Sequence, residues 1–205
     1  MRTCAIVPQK SLAAAKGRLE SVLRADTRAA LSLRLLRTVC ASLRATSAVE
    51  EVIVMTPDPR VRAFAAGCGV RSVWDPCAGF NEALVEVIRS LPAHSHAIAI
   101  MASDLPLLRP VDITAFLAAG TPGTAVLAPA RDGTGTNALL VPPATAIRPA
   151  FGPASLMLHR ERARILGLRV AEVNRTGLAF DLDTPLDLAA LGWQRNRASR
   201  LPWAE

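Results

Sequence analysis

Apolar residues along this chain fall into short runs separated by stretches with helical spacing. The clearest run, Ile98-Ala99-Ile100-Met101-Ala102-Ser103-Asp104-Leu105-Pro106-Leu107-Leu108, begins apolar and meets one carboxylate, with a proline two residues later. It is too short for a typical helix and has no period-two alternation, so it reads as a strand buried on both faces, as in parallel sheets. Further strands are predicted at 3–8, 49–55, 70–74, 124–129, 138–142 and 168–173. Between them, 27–43 repeats Leu31, Leu35, Val39 and Leu43 at helical spacing, widened by Leu36 and Cys40, while Arg28, Arg34, Arg37 and Arg44 fill the other face. Helices also follow at 61–66, 82–91, 112–117, 156–166 and 186–191.

Punctuation supports these boundaries. Asn81 and Asp112 are suited to helix N-caps, and Pro153 to a first helical turn. Asp183-Thr184-Pro185 is an N-terminal signal for the last helix. Strands alternate with helices through 1–191, which predicts one α/β domain with three layers and a mostly parallel sheet. The pattern breaks at 130–153, where an antiparallel insertion over the site is expected. Residues 192–205 form a basic tail with Trp193 and Trp203, expected to be partly ordered or packed on a partner subunit.

Composition narrows the function classes. Hydrophobic residues make up 51% and charged residues 20% of the 205 residues, which suits a globular chain rather than a disordered one. The net charge of +7 favours anionic ligands, but the charges are dispersed and tyrosine is absent, which argues against a stacking platform for nucleic acid. Neither nucleic acid nor membrane is expected as a partner: no apolar run nears the ~20 residues that span a bilayer. Cys4, Cys40, Cys68 and Cys77 lack metal-ligand spacing, and Cys4 and Cys40 lie in apolar contexts that suit core thiols. No signal-peptide pattern opens the chain, so a reducing cytoplasm is the expected compartment.

Four stretches carry candidate chemistry. Asp104 sits past the carboxyl end of a strand, where ligands bind in open α/β sheets, and a carboxylate there suits a hard divalent cation beside phosphates. The loop after the first strand carries Lys10, Lys16 and Arg18, cations that suit a triphosphate, without the glycines of a P-loop. Gly79 and Asn81 could face a base or sugar, and Asn81 could equally be only a cap. Residues 130–137 are rich in glycine and hydroxyls, and the helix start after Gly152 is an anion-binding candidate. Asp181 and Asp183, two apart in an extended segment, point the same way.

The ordered set is specific. Ile6-Val7-Pro8-Gln9-Lys10, Ala15-Lys16-Gly17-Arg18-Leu19, Ser103-Asp104-Leu105-Pro106, Arg131-Asp132-Gly133-Thr134-Gly135-Thr136-Asn137, Phe151-Gly152-Pro153-Ala154-Ser155 and Phe180-Asp181-Leu182-Asp183-Thr184-Pro185 resemble the guanylyltransferases of deazaflavin coenzyme (F-420) biosynthesis. That family is similar in fold to the molybdenum-cofactor guanylyltransferases, with a Rossmann-like nucleotidyltransferase sheet. The resemblance implies GMP transfer from GTP to the phosphate of 2-phospho-L-lactate, phosphoenolpyruvate or 3-phospho-D-glycerate, with release of diphosphate. It implies Lys16 and Asp104 as catalytic residues and magnesium on Asp104, Asp181 and Asp183. Thr136, Gly152 and Ser155 would bind the acid, Lys16 and Arg18 the GTP phosphates and Asn81 the nucleoside, and Lys10 and Gly79, from their places in the same loops, join the expected nucleotide site. A downstream transferase would take the labile product, and a homodimer is left open. Gln9, Gly17 and Phe80 depart from the family's usual residues, and a changed wall near Cys77 and Phe80 could accept 3-phospho-D-glycerate, which carries an extra hydroxyl. Two rival readings stay open: a nucleotidyltransferase of this fold with a sugar-phosphate or molybdenum-cofactor acceptor, and a non-catalytic nucleotide- or RNA-binding protein.

Overall fold

The computed structural model describes residues 2–75, 79–91, 97–142 and 147–192. Seven strands, β1 (Thr3–Pro8), β2 (Val49–Thr56), β3 (Arg71–Trp74), β4 (Ala97–Met101), β5 (Thr124–Pro129), β6 (Thr136–Val141) and β7 (Arg169–Glu172), form one sheet in the order β3-β2-β1-β4-β6-β5-β7. All neighbouring pairs are parallel except those of β6, which runs antiparallel to β4 and to β5. The antiparallel element expected at 130–153 is thus β6, seated within the sheet. The helices are α1 (Ala25–Arg44), α2 (Pro59–Gly67), α3 (Phe80–Ser90), α4 (Pro110–Ala118), α5 (Ser155–Ile165), α6 (Thr176–Ala179) and α7 (Pro185–Ala190).

The strands read as continuous apolar runs because both sheet faces are covered. Alternate residues divide between two cores. Ala5, Val7, Val52 and Val54 meet Leu36, Val39 and Leu43 of α1, with α2, α4 and α6 completing that layer. Cys4, Ile6, Ile53 and Met55 face the other way, toward Leu84 and Val87 of α3 and Leu156 of α5. Cys4 and Cys40 are buried thiols, as their apolar contexts predict, and burial pushes both up to about 12. A third cluster joins Leu31 and Leu35 of α1 to Leu19, Leu182 and Leu188. It clamps the first loop and the Asp181–Asp183 segment to the same end of the sheet.

Several ends differ from the sequence pattern. Asp112 is the third residue of α4 rather than its cap; Arg109 holds the cap position, and Asp112 Oδ2 accepts its N–H at 3.1 Å. Pro153 precedes α5, whose cap is Ala154, so the proline is not in the first turn. Helix α6 was not predicted, since four residues with a glycine give no period. Cys77 and residues 193–205 lie outside the described residues. No helix among the described residues is long and apolar enough to cross a membrane.

Candidate active site

A cleft of about 400 Å³ opens beyond the carboxyl ends of the paired strands β1 and β4. Lys10, Lys16, Arg18, Asp104 and Asp183 line it, with Phe80 and Phe151 on one wall. Strand β4 stops at Met101, and Asp104 follows on the bend beyond it. The backbone oxygen of Asp104 accepts the Leu182 N–H at 3.1 Å, which draws Asp181 and Asp183 alongside. Asp183 keeps its carboxylate for the cleft because Asp187 does the capping: Asp187 Oδ2 accepts the N–H groups of Asp183 (3.0 Å) and Thr184 (2.7 Å). Thr184 caps α7 in return, so the helix-start signal in the sequence holds.

Lys16 reaches this pair from the first loop. Its Nζ lies 2.6 Å from Asp104 Oδ2 and 2.9 Å from Asp183 Oδ1, and its side chain is 6% exposed. Burial pulls the ammonium down, the charges of Asp104 and Asp183 outweigh it, and the net shift is upward. The backbone of Lys16 is left-handed, with φ 53°. Only Lys16 and Ala154 do this among the described non-glycine residues, and strain of this kind persists where surrounding contacts enforce it. Asp58 fixes the start of the same loop. The buried Asp58 Oδ2 accepts the Leu12 N–H at 2.9 Å and the Ser11 hydroxyl at 3.3 Å, anchoring the loop to the start of α2. Arg18, 76% exposed at 3.6 Å from Asp183, is a solvated cation lining the cleft.

Asp181 lies behind the pair. Burial pushes its carboxyl above the ordinary value, and the charge of Asp104, then that of Asp183, adds to the shift. Asn137 Nδ2 donates to it at 3.3 Å, and also to the carbonyls of Leu178 (3.0 Å) and Ala179 (3.1 Å). Among the described residues no three His, Cys, Asp or Glu side chains are grouped to hold a metal ion. The charge between Asp104 and Asp183 is the Lys16 ammonium. The donor chemistry nevertheless fits a hard divalent cation: three carboxylates share one region, and among the described residues Asp104 and Asp183 pair with a cation while Asp181 does not.

Thr136, Gly152 and Ser155 are not in the wall of that cleft; they form a second cluster beside it. β6 runs against its neighbours, so Thr136 at its start lies at the ligand-binding edge of the sheet. The Thr134 carbonyl accepts the Leu156 N–H at 3.1 Å, which brings the start of α5 to this strand. Gly152, at φ 127°, takes a backbone conformation that side chains rarely adopt. Asn81 is the second residue of α3, and Gly79 is the cap, which corrects the N-cap expectation. The Asn81 carboxamide is instead clamped on Phe151: Oδ1 accepts its N–H at 2.8 Å, and Nδ2 donates to its carbonyl at 3.0 Å. That gives the side chain a loop to hold in place of a free face toward a nucleoside. Phe80, whose ring meets that of Phe151 edge-on at 6.1 Å, packs the same loop.

Asn137 and His159 are the residues that sequence reasoning missed. Asn137 was visible within a motif but had no assignable partner. His159 could have been found from its spacing, four residues after Ser155 and so on the same helix face.

The three-layer sheet of this order is a Rossmann-like fold shared with nucleotidyltransferases of known structure. A nucleotidyl transferase from Methanothermobacter thermautotroptrophicus superposes with a TM-score of 0.60 at 19% identity, over 96% of this chain and 97% of that one. The 4-diphosphocytidyl-2C-methyl-D-erythritol synthase of Anaerococcus prevotii gives 0.56 at 10% identity, over 92% and 93%. The chain belongs to the Guanylyl transferase CofC like family, whose model matches residues 3–195. It is 40% identical over 192 residues to the phosphoenolpyruvate guanylyltransferase of Sphaerobacter thermophilus, covering 93% of each chain. It is also 40% identical over 193 residues to that of Rubrobacter xylanophilus, covering 93% of this chain and 94% of the relative. The protein is an enzyme of the nucleotidyltransferase class.

Proposed function

We propose that this enzyme transfers GMP from GTP to the phosphate of phosphoenolpyruvate, releasing diphosphate, in the biosynthesis of the deazaflavin coenzyme F-420. The observation that carries this reading is the adjacency of two sites: a cationic cleft with Lys16 between Asp104 and Asp183, and a neutral-donor cluster of Thr136, Gly152 and Ser155 beside it. The acceptor's phosphate is already an anionic nucleophile, so no general base is required. The obstacle is repulsion between two polyanions, and the remedy is charge neutralisation and alignment for in-line attack at the α-phosphorus.

Lys16 supplies a fixed positive charge at that point. Lys10 and Arg18 hold the triphosphate at the cleft mouth, and Gly79 lies beside the nucleoside. Thr136, Gly152 and Ser155 hold the acid with uncharged donors, which bind an anion without adding a competing ion pair. Asp104, Asp181 and Asp183 would hold magnesium, which would supply charge neutralisation at the phosphates. The bond formed is a P–O–P phosphoanhydride between the GMP phosphorus and the acid's phosphate as diphosphate leaves, and a downstream transferase that consumes this activated product is the expected partner.

The test is diphosphate release with GTP and magnesium, offered phosphoenolpyruvate, 2-phospho-L-lactate and 3-phospho-D-glycerate in turn. Release with phosphoenolpyruvate supports the reading. Turnover with one of the other acids alone would keep the reaction and change the acceptor. GTP binding with no turnover on any of them would favour a sugar-phosphate or cofactor acceptor.

A further inference from the structure

His159 is 1% exposed and lies on α5, four residues after Ser155. Both of its ring nitrogens are engaged. Nε2 is 2.9 Å from the backbone nitrogen of Ala150, and Nδ1 is 3.0 Å from Thr136 Oγ1. A backbone N–H can only donate, so Nε2 is the acceptor, and the neutral ring carries its proton on Nδ1. Nδ1–H therefore donates to Thr136. A hydroxyl that accepts in this way keeps its own proton for another acceptor. Without the histidine, Thr136 could turn that proton toward protein oxygens. The Phe151 ring packs edge-on against the imidazole at 4.9 Å, fixing its plane.

We propose that His159 is a positioning residue for the phospho-acid: it leaves the Thr136 hydroxyl a committed donor and anchors the loop of Gly152 and Ser155 through Ala150. This rests on the reading that Thr136, Gly152 and Ser155 receive the acid. Asn81 holds the same loop from the opposite side through Phe151, so consecutive residues of the loop are fixed by side chains from two different helices. Uncharged, a rigid imidazole orients a donor without attracting the anion to itself.

Steady-state kinetics of the full chain with magnesium, GTP and phosphoenolpyruvate tests this. Thr136→Val removes the hydroxyl at constant shape and is expected to raise the KM for phosphoenolpyruvate about tenfold, with the KM for GTP within about twofold. His159→Gln keeps an acceptor for the Ala150 N–H but has no N–H where Nδ1 stands, and should reproduce that acid-specific loss. His159→Asn keeps the N–H toward Thr136 and should restore the acid KM to within about threefold of the parent. The double variant His159→Gln/Thr136→Val should be no worse than Thr136→Val, because both changes remove one interaction. An acid KM unmoved by His159→Gln while Thr136→Val raises it, or effects that multiply in the double variant, would overturn the inference. Equal losses toward GTP and the acid would reduce His159 to a structural role and overturn it too. If Thr136→Val itself leaves the acid KM unchanged, the acid-site reading fails first and the inference with it. Should His159→Gln not fold by circular dichroism, the same comparison is made between His159→Asn and its double with Thr136→Val, where the tenfold loss must reappear on removing Thr136.

Discussion

Lys16 and Asp104, 88 residues apart in the chain, meet at 2.6 Å at the head of the cleft. The lysine is bracketed by Asp104 and Asp183, so its position is fixed before any substrate arrives. A preset charge requires no reorganisation during the reaction, which is why such groups accelerate it strongly. Lys16→Met should lower kcat at least about 100-fold with an unchanged circular dichroism spectrum. Asp104→Asn should do the same. A kcat within a few-fold of the parent in either variant would remove that residue from the reacting centre.

Asp181 gives a metal-dependent prediction. Burial and the neighbouring carboxylates raise its pKa, and an acid whose pKa rises on folding weakens the fold as pH climbs through that value. Asp181→Asn should therefore raise the melting temperature of the metal-free protein at pH 7.5. Magnesium should raise the melting temperature of the parent and do so less in the variant. Calorimetry with and without a chelator checks both; a variant that melts lower without metal contradicts the assignment.

His159 makes stability depend on acid. Burial, with a contribution from the Arg162 guanidinium, holds its imidazole at about 4 against an ordinary 6.5. Between those values the unfolded chain takes up a proton that the folded protein refuses, so stability falls as pH decreases through that window. From about 6.5 upward the contribution is constant. The full effect is on the order of 3 kcal/mol. Denaturant melts at pH 4.5 and 7 should show the loss in the parent and less of it in His159→Gln.

Gly177 holds α6 against α4. A methyl added there would lie 2.3 Å from Asp112 Oδ2 and 2.8 Å from the Leu107 carbonyl. Neither can give way easily, because Asp112 is 2% exposed and held by Arg175 at 2.7 Å. Gly177→Ala should destabilise by about 1–3 kcal/mol, read as a lower melting temperature. Since Asn137 bonds the carbonyls of Leu178 and Ala179 and also Asp181, the variant should lose activity before it unfolds.

The sheet was legible because its physics is local. Strand β5 falls at 124–129 as the apolar run predicts, and α1 extends its predicted span by a residue or two at each end. The Lys16, Asp104 and Asp183 cluster was legible as motifs at strand ends. What stayed hidden depends on contacts across the fold. Asn81 has a good capping residue's identity, yet its partner is 70 residues away at Phe151, and Gly79 serves as the cap. Asp112 likewise turns back onto Arg109 while buried against Arg175. A histidine at helical spacing gives no sign that its two nitrogens will bridge a strand and a loop.

The most direct measurement is diphosphate release from GTP by the purified enzyme with magnesium and phosphoenolpyruvate, coupled to a transferase that removes the labile product. Release is expected to require the acid, GTP and the metal together and to be lost in Lys16→Met. Release without the acid, or undiminished release in Lys16→Met, would contradict the proposed reaction.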